Sequence, residues 1–210
     1  KYVRRQDLAR FIAYKELFER QINIKGSIVE CGVHQGGGLM TWAKLSTILE
    51  PYNYHRKIIG FDTFQGFPSI NKKDGKKLKQ KKKYFRRNYD VRNELLDLVK
   101  IFDKNRFIGN KKKIELIKGN AIKTIPKYIK KNKELLVSLL FLDFDIYAPT
   151  VTALKYFLPR MSKGGIIAFD QVNNPDWPGE TLAYLKRKEL KKFKLESMSF
   201  EPNISFLQLK

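Results

Sequence analysis

Two carboxylates, Asp143 and Asp145, stand two positions apart where the most apolar stretch of the chain, Val137 to Phe144, runs out. In an extended chain, residues two apart point to the same side. Two like charges held together call for a cation or a shared proton between them. A third acid, Asp170, follows the apolar stretch Ile166 to Phe169. Three acids converging on one sheet edge would suit a hard divalent ion with oxygen ligands. Alternatively, one of them would act as a general base on a substrate hydroxyl. The structural alternatives are a carboxylate that caps the helix expected near Pro149, or one that pairs with a lysine.

A second set of residues points to a bound nucleotide-like group. In Ile28 to Gly38, a short β-type segment enters Glu30, Cys31 and Gly32, and then Val33, His34, Gln35, Gly36, Gly37 and Gly38. Glycines at 32 and 36 permit a tight turn and a close backbone approach to a ligand. The free N–H groups of the following helix then face what is bound. About thirty residues on, Ile58-Ile59-Gly60-Phe61 ends in Asp62, followed by Thr63. A carboxylate there can accept two hydrogen bonds from ribose hydroxyls. Together the two segments suggest an adenosine-containing cofactor. Asn120, just after a third strand, is a candidate for the adenine edge, and His34 for the cofactor or acceptor. Trp177, in Trp177-Pro178-Gly179-Glu180-Thr181, either presents a stacking surface or anchors the helix starting near Thr181. Cys31 reads as a small buried residue, and His55 as structural. There is no nucleophile elbow, no Walker lysine motif and no Cys-x-x-Cys pair.

The elements that must position these groups follow from apolar periodicity. Residues 7–21 carry apolar positions at helical spacing. Strands are expected at 28–33, 57–61, 114–118, 137–144 and 166–169, the last entered through a turn at Gly164-Gly165. Helices are expected at 38–49, 91–105, 121–131, 149–160 and 181–192, with Pro126 marking a break or a late start in the third. Residues 193–199 and 203–209 alternate as a closing antiparallel hairpin. Strands alternating with helices give an α/β fold: a Rossmann-like, seven-stranded, mostly parallel sheet with helices on both faces and a C-terminal antiparallel hairpin. The acids then fall at the C-terminal strand ends, where ligands bind in such sheets. No internal repeat or second domain is visible, so residues 1–210 are expected to form one domain.

The net charge of +22 admits nucleic acid, a membrane surface or a phosphorylated small substrate as partner. Much of it is concentrated: ten of the sixteen residues from Lys72 to Arg87 are Lys or Arg. That block, within residues 70–90, is expected to be a solvated, lid-like loop. From Lys72 to Lys83 no stacking aromatic is interleaved, which argues against nucleic acid. No apolar run approaches the roughly 20 residues that span a bilayer, so no membrane association is expected. A single cysteine and an opening without an apolar leader give a cytoplasmic location as the expectation.

Taken together, Val29 to Val33 with Gly36-Gly37, Gly60 to Pro68, Leu142 to Tyr147, Gly164-Gly165 leading to Asp170, and Trp177-Pro178-Gly179 resemble the class I S-adenosylmethionine-dependent methyltransferases. More narrowly, they resemble the macrocin O-methyltransferase (TylF/MycF) family of sugar O-methyltransferases, over roughly residues 10 to 200. The resemblance implies methyl transfer from S-adenosylmethionine to a hydroxyl of a nucleotide-linked sugar or a glycosylated small molecule, and self-association without a recognisable interface. It implies that Glu30, Gly32, Val33, His34, Gly36, Gly37, Asp62, Thr63, Asn120 and Asp143 contact the cofactor. It makes Asp145 the general base and Asp143 and Asp170 metal ligands, while leaving open which of Asp143 and Asp145 does which. Relatives with bound magnesium usually carry two adjacent acids where this chain has Asp170-Gln171. Gln171 offers only a neutral carbonyl oxygen, so magnesium is expected to bind weakly or not at all. The competing functions are an RNA methyltransferase and a non-catalytic cofactor-binding module. The first lacks support from an Asn/Asp-Pro-Pro-Tyr/Phe motif after the strand that carries Asp143.

Overall fold

The computed structural model describes residues 2–75 and 89–210. The elements follow in chain order as α1 (Arg5–Gln21), β1 (Ser27–Cys31), α2 (Gly37–Leu49), β2 (Ile58–Asp62), α3 (Val91–Lys104), β3 (Ile114–Lys118), α4 (Ala121–Lys131), β4 (Val137–Leu142), α5 (Tyr147–Phe157), β5 (Met161–Phe169), α6 (Pro178–Lys186), β6 (Glu196–Met198) and β7 (Glu201–Gln208). The sheet order is β3-β2-β1-β4-β5-β7-β6. The first five strands pair in parallel, and β7 joins β5 and β6 antiparallel. The expected seven-stranded sheet is therefore present.

Continuous apolar strands form because both faces of the sheet are covered. Along β4, Leu139 and Phe141 join one core, with Phe18, Trp42 and Phe206, beneath α1, α2 and α3. Leu140 and Leu142 join the other, with Phe61, Phe157 and Phe169, beneath α4, α5 and α6. Alternation sends each successive side chain to the opposite face, and neither face is left to solvent. The polar exception is Ser138, whose hydroxyl accepts a hydrogen bond from buried Arg56 at 2.5 Å. Arg56 also pairs with Glu50 at 2.7 Å, tying the ligand-remote end of the sheet together.

Most element bounds differ from expectation by a few residues, β1 ending at Cys31 rather than residue 33 among them, and four differences have a local cause. β4 stops at Leu142 rather than Phe144, because Asp145 takes a left-handed φ of 61°. Gly164 and Gly165 lie inside β5 rather than in a turn before it; Gly164, at φ 83°, sits in the register shift against β4. α4 runs through Pro126, held by the Asn120 cap at one end and by burial of Ile125 and Ile129. The last expected helix splits into α6 and a short 3-10 turn, Lys188–Lys192.

Candidate active site

A cleft of about 220 Å³ opens where the five parallel strands end. Each strand delivers residues to it: Gly32 and His34 after β1, Asp62 and Thr63 at β2, Gly119 and Asn120 after β3, Asp143 and Asp145 after β4, and Asp170 and Gln171 after β5. This is the position at which ligands bind in open α/β sheets.

The glycine loop is fixed by backbone contacts and by one acid. Gly32 takes a φ of 102°, and a Cβ there would lie 1.9 Å from the Asp143 carbonyl oxygen, so no other residue fits. Asp62 Oδ2 accepts the Val33 and His34 amides, each at 2.8 Å, and Asp62 Oδ1 accepts the Phe64 amide at 2.7 Å. One carboxylate therefore ties the loop after β1 to the loop after β2. Gly36 ends the loop at φ 84° without a side-chain cap, so α2 begins at Gly37 with its N-terminal positive end uncapped. Glu30 lies buried under that end, its carboxylate against Gly38. Burial pushes its pKa up to about 8, against the opposing charge of Arg10. Thr63 is held in the turn by donating to the Gly66 carbonyl at 2.6 Å. Asn120 lines the cleft, and its side-chain oxygen caps α4 by accepting the Ile122 amide at 3.0 Å.

The acids meet through loops rather than through the pleat of a strand. With β4 ended at Leu142 and Asp145 at positive φ, the expectation that Asp143 and Asp145 share one side of an extended chain does not hold. Both nevertheless line the cleft with Asp170. Loss of hydration raises the Asp143 pKa well above the carboxylate range, and the charges of Asp170 and Asp145 add to it. Burial, reinforced by Asp170, raises Asp145 to about 7. Neither acid caps α5. That role falls to Asp74, which is 1% exposed and accepts the Tyr147 amide at 2.6 Å.

Two further side chains shape this cluster. Glu180, fully buried at the start of α6, accepts the Gln171 amide at 3.0 Å and the Asp145 amide at 3.4 Å. Burial and the charges of Asp170 and Asp145 raise its pKa well above the ordinary range. Arg10 reaches in from α1. Its Nη2 lies 3.2 Å from Asp143 Oδ2 and 2.6 Å from Asp170 Oδ1, and its Nε donates to the Tyr14 hydroxyl at 2.9 Å.

The residues expected to hold magnesium do not fit that ion. Asp143 accepts from the Arg10 guanidinium, Asp170 Oδ1 lies against the same nitrogen at 2.6 Å without hydrogen-bond alignment, and Gln171 adds only a neutral, unpartnered side-chain oxygen. Among the described residues, no group of three His, Cys, Asp or Glu side chains could hold a metal.

Arg10, Glu180 and Asp74 were not singled out by sequence. The available signals were an arginine four positions before Tyr14 on one helix, an acid directly after Pro178-Gly179, and a lone acid inside the lysine block. That acid corrects the expectation of a wholly solvated block, since Asp74 is buried; residues 76–88 of the block lie outside the described residues. Trp177 forms the cap position of α6, with its ring 6.4 Å from that of Phe67, which lines the cleft. Cys31 is buried in the core. No helix of the described residues is long and apolar enough to cross a membrane.

No curated protein matches the chain. Among solved structures, it is similar to one of CalS11, a calicheamicin methyltransferase, at 32% identity and TM-score 0.91, over 98% of this chain and 80% of that one. A second, apo structure of CalS11, there called a TDP-rhamnose 3'-O-methyltransferase, matches at 29% identity and TM-score 0.83, over the same shares. The O-methyltransferase NovP shares the fold at 18% identity and TM-score 0.72, over 96% of this chain and 80% of that one. The model of the macrocin-O-methyltransferase (TylF) family matches residues 6–194. With nearly its whole length matched, and with glycine loop and acids gathered in one cleft, the chain belongs to that family of O-methyltransferases.

Proposed function

We propose that this chain moves the methyl group of S-adenosylmethionine to a hydroxyl of a sugar, either nucleotide-linked or part of a glycosylated small molecule. The observation that carries this reading is the cleft shared by Gly32 and His34 of the glycine loop, Asp62 and the acids after β4 and β5. CalS11, similar over nearly all of this chain, is itself called a TDP-rhamnose 3'-O-methyltransferase.

When bound, S-adenosylmethionine supplies an electrophilic methyl group on a sulfonium. Glu30, Gly32, Val33, His34, Gly36, Gly37, Asp62, Thr63, Asn120 and Asp143 form its binding surface. Asp62 holds ribose hydroxyls with the carboxylate lone pairs left over from the loop amides. Asp145 is the general base: its pKa of about 7 leaves about half of it ionised at neutral pH and makes it more basic than an ordinary carboxylate toward a hydroxyl proton. The cleft would hold the acceptor hydroxyl in line with that methyl group, so that the S–CH3 bond would break as the O–CH3 bond forms, S-adenosylhomocysteine would leave, and the hydroxyl proton would pass to Asp145. Most of the acceleration comes from positioning the two partners. The lysines of the 70–90 segment attract a diphosphate-bearing acceptor.

The test is S-adenosylhomocysteine release from S-adenosylmethionine with a panel of nucleotide sugars and with total RNA. Release with a nucleotide sugar is the expected result. Release only with RNA, with binding that weakens steeply in salt, would overturn the sugar reading.

A further inference from the structure

We infer that Arg10 supplies the cation of the acid cluster, standing between Asp143 and Asp170 in place of a divalent ion, and that methyl transfer by this chain needs no metal. The inference rests on the methyltransferase reading above.

The guanidinium is built into this position. Its Nη2 reaches both acids, at 3.2 Å and 2.6 Å. Its Nε is held by the buried Tyr14 hydroxyl at 2.9 Å. Its carbon lies 5.5 Å from the Tyr14 ring centre and 6.0 Å from that of Phe141, within cation–π range of the first and at the margin of the second. Tyr14 in turn packs on Trp42 at 4.5 Å and edge-on to Phe141 at 5.2 Å, so the arginine stem rises from a rigid aromatic floor. A flexible surface arginine would have no such support.

The remaining donors complete the argument. A hard dication needs several anionic or neutral oxygens around it. Both Glu180 oxygens accept backbone amides and Asp145 is the proton acceptor of the proposed reaction, leaving Asp143, Asp170 and the neutral Gln171 as the donors for an ion. An ion bound by those two acids would sit within a few ångströms of a fixed positive charge, where repulsion is strong. Arg10 does for the cluster what the ion would do. It compensates two clustered acids and holds Asp143 and Asp170 in place while Asp145 takes the proton. It is a positioning residue, acting through the acids it holds.

The experiment is a titration of the wild-type protein with Mn2+, followed by the paramagnetic resonance of the free ion, alongside turnover in chelator. The expected result is no bound Mn2+ below about 1 mM, together with full turnover in chelator. Stoichiometric Mn2+ binding, or turnover that chelator abolishes and magnesium restores, would overturn the inference. R10M is expected to lower kcat roughly 10- to 100-fold with little change in acceptor KM, and R10K to recover part of it, because lysine restores the charge without the fork. R10M with unchanged kcat would overturn the positioning role. The double variant R10M/Q171D frees both acids and adds a third, and is expected to acquire Mn2+ binding; S-adenosylhomocysteine affinity reports whether it is folded. A folded double variant that binds no Mn2+ would overturn the claim that the guanidinium keeps the ion out. If no acceptor of the panel turns over, the proposed acceptors fail while the wild-type Mn2+ titration still decides the arginine.

Discussion

Asp74 and Tyr147 lie on separate segments 73 positions apart, and the Asp74 Oδ1 accepts the Tyr147 amide at 2.6 Å where α5 begins. The same carboxylate accepts the Asn71 amide at 2.5 Å. A helix start immediately after Asp143 and Asp145 is thus satisfied by a residue from the segment that follows β2. D74A would orphan two amides, one of them buried, and is expected to destabilise the protein by about 2 kcal/mol. Denaturant unfolding of the variant checks this, and an unchanged midpoint would show that the contact contributes nothing.

Replacing Asp145 by Asn keeps its size and removes its basicity. D145N is expected to lose roughly 100- to 10,000-fold in kcat. Calorimetric affinity for S-adenosylhomocysteine should stay near wild type. Equal losses in D143N and in D145N would point to two acids acting as one unit, whereas a larger loss in D143N would transfer the base role to that residue.

The pH profile follows from the raised Asp145 pKa. The base works only when ionised, so kcat is expected to rise with pH through about 7 and level off above it. A profile flat between pH 6 and 8 would place the base elsewhere.

Glu30 gives a stability prediction of definite sign. Its folded pKa of about 8 lies above the ordinary 4.5, so folding favours the protonated carboxyl. Its contribution is complete below the unfolded pKa and is lost as pH rises through the folded one. At pH 8 this amounts to on the order of 4 kcal/mol relative to pH 4, the product of the shift and the energy per pKa unit. E30Q should flatten the pH dependence of the unfolding midpoint in that window and raise the midpoint at pH 8. An E30Q protein whose midpoint falls with pH as steeply as wild type would refute this.

Much of the fold was legible because buried parallel strands leave continuous apolar runs. Ile58 to Phe61 and Val137 to Leu142 could hardly be read otherwise. The acids that follow those runs were legible for the same reason: a strand's end marks the ligand edge. What periodicity could not see is where the backbone turns. Phe144 is apolar and extends the pattern, but Asp145 is left-handed, and only the three-dimensional loop reveals that. Arg10 was invisible for a different reason. Its partner Asp143 lies 133 positions away, and the pairing exists only because α1 packs on the sheet face with Arg10 beside the end of β4.

The close approach of Gly32 to the Asp143 carbonyl has a consequence for motion. With no room for even a methyl group between them, and with the Asp143 amide donating to the Cys31 carbonyl at 2.7 Å, the first and fourth strand ends have no freedom to slide past one another. Opening of the cleft is therefore expected from the outer wall around Phe64 to Pro68. The floor carrying the donor's loop and the acid would exchange its amide hydrogens as one slow unit, while the rim exchanges fast.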